Sequence, residues 1–504
     1  MAKSIFTNDK GSVKKVIAAK IKEIQDDYLA DQRPWVIGYS GGKDSTVITQ
    51  LTWMAVEALP EKKRHKPIYV VTTDTMVENP VVATWVENSI DRINTEAQSR
   101  DLPISAHLIK PALKDRFWVQ LLGRGYPSPR RGFRWCTDRL KIRPSTNFIK
   151  SRVSKHGDVV LLLGVRVDES AARAASIKKH KAKSTDKFKP HNDLKNCFVS
   201  SPIEDWATED VWQFLHLYPN PWKHSNQELQ ALYAAGSEDN ECPVVVDRST
   251  PSCGSSRFGC WVCTLVTQDK SMTAMIQNDQ DKEWMVPLLK IRNELDFKTD
   301  TDRQKDKDSR EFVRMNGKVS FYKNNEGNLS YVNGPYTQKR RVELLVKILS
   351  AEVQIQAHFD AENKGNIFSL IDKEELEEIR RIWIEDKKEI EDVLPGIYQK
   401  IKGKEFDGKI YRTALVLDDK NLNLLETLCG DNRREYELVR NMLVQEMKLK
   451  SKGIRRGFID ELETELNTFI YVEKKEVEEA AASRQSFIET IDHKVINDYE
   501  GLHK

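Results

Sequence analysis

Hydrophobic positions in the first half of the chain alternate between short apolar runs and longer helical repeats. After the first run, Val47, Ile48 and Leu51 recur at the spacing of an amphipathic helix, and 82–98 has the same periodicity. Strands that alternate with helices predict an α/β fold with a parallel sheet and right-handed crossovers. The runs of strand length are 35–39, 68–72, 104–109, 158–165 and 197–203.

The second half of the chain has a different texture. Residues 298–310 form a charged, polar run typical of a linker, and 316–335 have the pattern of a β-hairpin. Residues 338–398 and 420–482 have the periodicity of amphipathic helices. We therefore predict an N-terminal helical segment over 1–30, an α/β domain over 31–235, a cysteine-rich segment over 236–270 and a mostly helical C-terminal region over 271–504.

Charge balance and the lengths of the apolar stretches exclude some classes of protein. Among 504 residues, 80 Lys and Arg face 77 Asp and Glu, so the formal net charge is +3 and any polyanion site must come from local clustering. No stretch approaches the roughly 20 apolar residues that cross a bilayer, and the N-terminus lacks the apolar core of a secretory signal. We expect a cytoplasmic protein with no membrane association.

The hexapeptide Ser-Gly-Gly-Lys-Asp-Ser, residues 40–45, joins the first strand to the following helix. Gly41 and Gly42 permit positive φ and close approach of backbone N–H groups, while Lys43 and the helix N-terminus add positive charge. This turn predicts a phosphate site, although a glycine turn with a capping Asp or Ser is the alternative. The pattern of P-loop NTPases fails, because Asp44 follows the lysine and Ile37 stands where the first glycine belongs.

The hexapeptide resembles the PP-loop of the ATP pyrophosphatase superfamily, which has an adenine nucleotide α-hydrolase-like fold. The resemblance implies that ATP, with Mg²⁺, is cleaved between its α and β phosphates while an oxygen of the substrate is adenylylated, with Lys43 and Asp44 as catalytic residues. Ligands of parallel sheets bind at the carboxyl ends of the strands. The residues expected at the ATP site are Ser40, Gly41, Gly42, Lys43, Asp44, Ser45, Asp74 and Arg166.

Three further segments resemble the sulfonucleotide (PAPS/APS) reductases. They are RWCTDRLKIRP at 134–144, GVRVDESAAR at 164–173 and SPIEDWATEDVWQFL at 201–215. The second resembles that family's G-x-R-x-x-E-S-x-x-R and the third its N-P-L-x-D-W-x-x-x-D-V-W. Together with the PP-loop, these segments cover residues 35–215 in the order that the family has.

Four of the seven cysteines, Cys242, Cys253, Cys260 and Cys263, fall within 22 consecutive positions. Four thiolates ligate either a tetrahedral zinc ion or a [4Fe–4S] cluster, and unrelated buried thiols are a third interpretation. Only the last pair has the tight spacing of a zinc knuckle, so we expect the cluster. Two other cysteines, Cys197 and Cys429, are expected in the core.

Cys136 stands apart from that group, within the reductase-like segment. In reductases that carry a cluster, the positions that correspond to 135 and 136 hold two cysteines that ligate it. Trp135 replaces the first of these cysteines here. Cys136 is therefore either a fifth candidate ligand or a catalytic, sulfur-carrying thiol. We expect the neighbouring Arg134 and Arg139 to lower the pKa of its thiol.

Two basic stretches suggest a polyanionic substrate. Residues 110–135 interleave arginines with aromatic residues, as in sites that hold phosphates and stack bases, and residues 178–195 are expected to form a loop beside the site. A solvated basic face is the alternative for each stretch. The residues expected to contact the substrate are Arg130, Arg131, Arg134, Arg139, Lys141, Arg143 and Arg173.

Taken together, these features resemble the DndC family, the PAPS reductase-like component of bacterial DNA phosphorothioation. The resemblance implies an enzyme that uses ATP to activate a DNA backbone oxygen for replacement by sulfur, with a [4Fe–4S] cluster, a cysteine desulfurase as sulfur donor, and DNA and other subunits of the phosphorothioation complex as partners. Alternatives are a sulfonucleotide reductase, a PP-loop tRNA thiolase and a non-enzymatic iron–sulfur DNA-binding subunit. Against the reductase, no cysteine follows Cys429, whereas those enzymes use one in a C-terminal E-C-G-L-H segment.

Overall fold

The computed structural model describes residues 5–6, 10–169, 174–175, 187–235, 259–324, 326–361, 368–411, 417–430, 432–452, 457–469 and 474–486. The chain divides into two compact units. The first comprises Met1–Phe117 and Pro129–Asp296, and the second comprises Trp118–Ser128 and Phe297–Lys504. These divisions differ from the sequence-based boundary at 270/271, since helices up to Leu295 belong with the first unit.

The first unit contains a six-stranded, mainly parallel sheet, which confirms the predicted fold class. Its order is β3-β2-β1-β4-β6-β5, and only the short β5 runs antiparallel to its neighbour. The chain adds β2 and β3 on one side of β1 and the later strands on the other, so the crevice for a ligand lies outside the carboxyl ends of β1 and β4. The strands are β1 Trp35–Gly38, β2 Ile68–Thr73, β3 Ile104–Ile109, β4 Val159–Leu162, β5 Lys189–Pro190 and β6 Cys197–Ser200.

The described part of the first unit contains eight α-helices. Asn79 begins α3 by accepting a hydrogen bond from the Val81 N–H at 3.0 Å, with Pro80 in the first helical turn, where proline is tolerated. Asp269 caps α7 in the same way, through the Met272 N–H. The helices are α1 Lys10–Leu29, α2 Lys43–Glu57, α3 Pro80–Ser99, α4 Arg143–His156, α5 Thr208–Leu217, α6 Asn226–Ala235, α7 Lys270–Asn278 and α8 Val286–Leu295.

The core lies on both faces of the sheet. On one face, Val36, Val71 and Leu161 pack with Ile149 of α4 and with Cys197. Helix α2 is buried along almost its whole length and contacts α1 and α5. A helix buried on all sides is held firmly in place, and α2 is the helix that the Ser-Gly-Gly-Lys-Asp-Ser turn begins.

The second unit is mostly helical, as expected, and contains the predicted hairpin, formed by β7 Phe321–Lys323 and β8 Leu329–Tyr331. The linker predicted at 298–310 is wrong: Asp300–Asp308 form a helix, α9. Its start is a capping box, in which Thr299 and Asp302 bind each other's backbone N–H at 3.1 Å. The remaining helices are α10 Gln338–Ala361, α11 Lys373–Arg381, α12 Val393–Lys402, α13 Asp419–Cys429, α14 Arg433–Lys452 and α15 Phe458–Thr468, followed by a helix over 474–486.

The segment Trp118–Ser128 belongs with the second unit although it lies far upstream of the rest of that unit. The Trp118 indole N–H donates to the Leu370 carbonyl oxygen at 2.8 Å, and the Trp383 indole N–H donates to the Leu122 carbonyl oxygen at 2.7 Å. Trp118 and Leu122 are fully buried. The segment is therefore an integral part of the second unit's core.

Within the described ranges, none of the helices combines the length and the apolar character that a membrane crossing requires.

Candidate phosphate site and thiol cavity

The turn after β1 needs glycine at position 41. Gly41 has a φ of +76°, and a Cβ there would lie 2.5 Å from Cγ2 of Val86. The Trp85 indole N–H donates to the Gly41 carbonyl oxygen at 3.1 Å. Helix α3 thus presses on the turn and fixes the orientation of its first peptide.

The two serines of the turn bind each other and the backbone. The Ser40 N–H donates to Ser45 Oγ at 3.2 Å, and the Ser45 hydroxyl donates to the Gly42 carbonyl oxygen at 3.0 Å. The Gly42 N–H points to Ser40 Oγ at 3.4 Å. Local hydrogen bonds therefore hold the turn, in which Gly41 has a positive φ and Gly42 has an extended backbone with a φ of −87°.

Lys43 and Asp44 open α2, and both side chains are buried, with exposed fractions of 3% and 2%. The Asp44 carboxylate accepts a hydrogen bond from Arg166 Nε and lies 3.3 Å from Lys43 Nζ. A second guanidinium nitrogen of Arg166 donates to the Trp206 carbonyl oxygen at 3.2 Å. The structure thus brings three predicted site residues together as one buried charge cluster at the carboxyl ends of β1 and β4.

Two residues of this site were missed by sequence reasoning. Gly164 follows β4, and a Cβ there would lie 2.8 Å from the carbonyl carbon of Asp44, so glycine permits the two backbones to touch. Tyr233 of α6 accepts the Lys43 backbone N–H through its hydroxyl at 3.1 Å, and its ring centroid is 5.2 Å from Lys43 Nζ. Gly164 lies within a segment that the sequence analysis singled out, whereas no motif marks Tyr233.

Asp74 follows β2, as predicted, and shapes its own loop. Its carboxylate accepts the Met76 N–H at 2.7 Å and lies 3.7 Å from Lys110 Nζ. Met76 has a positive φ of 63°, which this contact supports. The described contacts of Asp74 therefore tie it to the loop after β2 and to the end of β3.

Three cysteines line one small cavity of about 20 Å³ in the first unit: Cys136, Cys260 and Cys263. The walls include Val262 and Leu265, so the cavity is largely apolar. Cys242 and Cys253, predicted to complete a cluster site, lie outside the described residues, as does Arg173.

Cys260 also touches the loop that follows β2. Its sulfur lies 3.3 Å from the Thr75 hydroxyl oxygen and 3.8 Å from a Glu78 carboxylate oxygen, and Glu78 is 3.8 Å from Lys141 Nζ. Backbone pairing between Glu78 and Cys260 continues this contact. The segment that carries Cys260 is therefore fastened to the sheet edge where Asp74 stands.

Thiolates are the ligands of iron–sulfur clusters, so the donor set of the cavity fits such a group. In the part of the chain that the structure describes, no three His, Cys, Asp or Glu side chains are arranged to hold a single metal ion. The convergence of Cys136 with Cys260 and Cys263 was left open by the sequence, where Cys136 was either a fifth ligand or a sulfur carrier.

The predicted low pKa of Cys136 is wrong for this structure. Burial raises the pKa of the Cys136 thiol, and Lys141, which opposes that effect, is the neighbouring cation that matters. Arg139 is paired instead with Asp115, at 3.4 Å. The basic residues that flank Cys136 in sequence do not set its protonation.

The predicted substrate cations divide into two groups. Arg130 and Arg131 are exposed, in a turn closed by backbone hydrogen bonds between Arg130 and Phe133, whereas the side chain of Arg134 is half-buried. Arg143 pairs with Asp115 at 3.0 Å, while Lys141 is buried beside Glu78.

The described part of the 178–195 stretch begins at 187, where Lys187 pairs with Glu23 at 2.9 Å and with Asp27 at 2.8 Å.

Three of the five aromatic residues interleaved with these arginines, Phe117, Trp118 and Trp135, are buried and offer no ring for stacking. Phe117 and Trp135 stack on each other inside the first unit, with ring centroids 5.3 Å apart, and Trp118 belongs to the core of the second unit.

Of the two cysteines predicted in the core, Cys197 is buried, which confirms that prediction, and burial raises its pKa to about 12. Cys429 is only half-buried, so it is not a core residue.

Comparison with known proteins finds a family resemblance within the first unit. Residues 34–266 match the phosphoadenosine phosphosulfate reductase domain family. The chain contains a PAPS reductase-like domain. An uncharacterized protein of Methanocaldococcus jannaschii is 28% identical over 192 residues, which are 38% of this chain and 33% of that protein. The match therefore spans a third of the relative's length.

Solved structures also match parts of this chain, each at 12% identity. The FMN adenylyltransferase of Candida glabrata, solved with FAD and inorganic pyrophosphate, matches 43% of this chain and 61% of its own, with a TM-score of 0.25. The U34-tRNA thiolase NcsA of Methanococcus maripaludis, solved with its [4Fe–4S] cluster, matches 56% and 78%, with a TM-score of 0.28. The PAPS reductase of Candida auris, solved as a phosphate complex, matches 46% and 95%, with a TM-score of 0.26. Scores this low say nothing about the site residues of this chain.

Proposed function

We propose that this protein is an ATP pyrophosphatase and sulfurtransferase that replaces a nonbridging oxygen of a DNA backbone phosphate by sulfur. The observation that carries the proposal is the pairing of two sites in one PAPS reductase-like domain. One is a phosphate-type turn at the carboxyl end of β1, and the other is a cavity lined by Cys136, Cys260 and Cys263. A turn for ATP and a group of thiols in the same domain suit activation of an oxygen followed by its replacement by sulfur.

The first step forms one bond and breaks another. The DNA phosphate oxygen attacks the α-phosphorus of ATP, the bond between the α-phosphorus and the β-phosphate's bridging oxygen breaks, and pyrophosphate leaves. Lys43 and the N-terminus of α2 stabilise the phosphate charge. Mg²⁺ would neutralise the pyrophosphate that leaves, and Asp44 is the carboxylate of the turn that suits it as a ligand.

The second step transfers sulfur. A sulfane sulfur from a cysteine desulfurase forms a persulfide on Cys136, whose outer sulfur attacks the DNA phosphorus while AMP leaves with the activated oxygen. A cellular thiol then attacks the Cys136 sulfur, which leaves sulfur on the DNA, and a second thiol reduces the mixed disulfide. A [4Fe–4S] cluster on Cys260 and Cys263, with Cys242 and Cys253, would supply an iron–sulfur centre beside Cys136.

The decisive experiment is chemical analysis of DNA from cells that contain the protein and its partners. After nuclease digestion, mass spectrometry should find resistant dinucleotides with sulfur on the backbone. They should vanish with Lys43→Ala or Cys260→Ser and persist with Cys429→Ser, whose thiol lies in α13 of the second unit. DNA without sulfur in the presence of all partners would overturn the proposal.

Other sulfur-containing products of the same cells would distinguish the alternative activities. The family match also suits a sulfonucleotide reductase, so free sulfite that depends on Lys43 would favour that activity. Thiolated tRNA bases that depend on Lys43 would favour a tRNA thiolase. With purified protein, ATP should yield AMP and pyrophosphate, and ADP with phosphate as the main products would exclude the pyrophosphatase step itself.

DNA binding by the exposed turn is testable on its own. Because phosphate contacts release counterions, the dissociation constant should rise steeply with salt. Replacing Arg130 and Arg131 by Ala should lower the slope of log K against log salt by about 2, since each phosphate contact contributes about 0.9. An exposed charge elsewhere, Lys22 of α1, provides the control, because its replacement by Ala should leave the slope unchanged.

A further inference from the structure

Tyr233 lies where a nucleotide phosphate would be expected to bind. It belongs to α6, its hydroxyl accepts the Lys43 backbone N–H at 3.1 Å, and its ring centroid lies 5.2 Å from the Lys43 ammonium nitrogen. Its ring also meets Trp212 edge to face at 5.1 Å. Two different contacts therefore bind this tyrosine to the first residue of α2.

Both contacts involve groups that bind anions. The N–H groups of a helix's first turn have no partner within the helix, and together with a lysine they are the donors that phosphate takes. Tyr233 engages one of these donors and shields the ammonium, and its exposed fraction is 2%. Lys43, Asp44 and Ser45 are also buried, with exposed fractions of 3%, 2% and 6%. A phosphate group that takes the Lys43 backbone N–H must therefore displace the Tyr233 hydroxyl.

We propose that Tyr233 closes the phosphate turn in the absence of nucleotide and is displaced when the phosphate of ATP takes the Lys43 N–H. This inference rests on the ATP site of the proposed function. It makes Tyr233 a competitor of the nucleotide, whose removal strengthens binding. Because α6 carries Tyr233, nucleotide binding also changes how that helix is held against α2.

The test is to remove the hydroxyl and to measure nucleotide affinity. Tyr233→Phe keeps the ring and removes only the acceptor that competes for the Lys43 N–H. A hydrogen bond of this kind is equivalent to roughly a two- to tenfold change in an equilibrium constant. The dissociation constant of Mg²⁺ with α,β-methylene-ATP, which resists cleavage between the α and β phosphates, should therefore fall about two- to tenfold in calorimetric titration.

The matched control is Tyr218→Phe, which removes a hydroxyl from a tyrosine whose ring stacks on Phe214. Its affinity should equal that of the unmodified protein. A purely structural role for Tyr233 predicts unchanged or weaker binding in Tyr233→Phe, so tighter binding distinguishes competition from damage. Unchanged or weaker binding, with the unmodified protein binding normally, overturns this inference and leaves the proposed function standing. If neither protein binds the nucleotide, the ATP site and this inference fail together.

Fluorescence gives a second readout in the unmodified chain. Displacement of Tyr233 changes the surroundings of Trp212, so tryptophan emission should change along the nucleotide binding curve. Because the Trp85 indole also contacts the turn, part of the change should persist in Trp212→Phe, which retains nucleotide binding, but its amplitude should be smaller. An identical emission change in Trp212→Phe would show that Tyr233 stays in place and would overturn the inference.

Discussion

The buried Arg166 guanidinium permits a quantitative test of the site's electrostatics. Arg166→Met retains most of the side chain's apolar volume but removes the charge that faces Asp44. The carboxylate, 2% exposed, then faces the Lys43 ammonium at 3.3 Å without the guanidinium. Breaking a buried ion pair by removing one partner costs about 3–5 kcal/mol.

Two contacts in the structure determine the loss of stability that we expect for Arg166→Met. Lys43 remains beside Asp44, so the electrostatic cost should be at the lower end, about 3 kcal/mol. The hydrogen bond from Arg166 to the Trp206 carbonyl oxygen is also lost and contributes about 1 kcal/mol. We therefore expect Arg166→Met to lower the free energy of unfolding of the first unit by about 4 kcal/mol.

The assay is urea unfolding followed by tryptophan fluorescence and circular dichroism. Lys22→Met is the control, because Lys22 and Asp26 form an exposed pair whose side chains are 67% and 60% accessible, and its effect should stay within about 0.5 kcal/mol. Combining Asp44→Asn with Arg166→Met removes both charges. The double variant should therefore lose less free energy of unfolding than the two single variants lose together, by at least about 2 kcal/mol. A loss below about 1 kcal/mol for Arg166→Met, or strict additivity, would refute the reasoning.

Two further predictions concern the surroundings of the turn. Gly164→Ala should weaken nucleotide binding more than about tenfold, because the new Cβ meets the Asp44 backbone at 2.8 Å, whereas Gly132→Ala, with open space around it, should not. Equal affinities in calorimetry would contradict this. Burial lowers the pKa of His224 to about 4, so proton NMR should show no titration of this ring near pH 6.5, and a step there would contradict the prediction. Since the folded pKa is the lower one, the stability that this ring contributes is complete above pH 6.5 and is lost as the pH falls towards 4.

The sheet and the turn could be predicted from the sequence because both depend on local signals. The apolar run 104–109 coincides with the observed β3, and the glycines at 41 and 42 mark the turn that the structure contains. The predicted run 158–165 is too long, since β4 ends at Leu162. The chain leaves the sheet there to bring Gly164 against the backbone of Asp44, and this contact joins residues 120 positions apart in sequence.

Other features depend on signals that periodicity does not detect. Helix α9 has no apolar stripe, and only the capping pair of Thr299 and Asp302 could have revealed it. Tyr233 is 190 residues from Lys43, so its contact follows from the folded chain alone. For Cys136, sequence neighbours suggested a lowered pKa, whereas burial, which needs the tertiary structure, raises it.

The position of Trp118–Ser128 in the second unit has a consequence for protein synthesis. Trp118 leaves the ribosome 252 residues before its hydrogen-bond partner Leu370. At about 5–20 residues per second, this delay is roughly 13–50 s. During that interval the apolar side chains of Trp118, Leu121 and Leu122, which are fully buried in the finished protein, have no core to enter. The nascent chain therefore exposes a hydrophobic segment in its middle until its C-terminal third emerges, and we expect chaperones to bind that segment during translation.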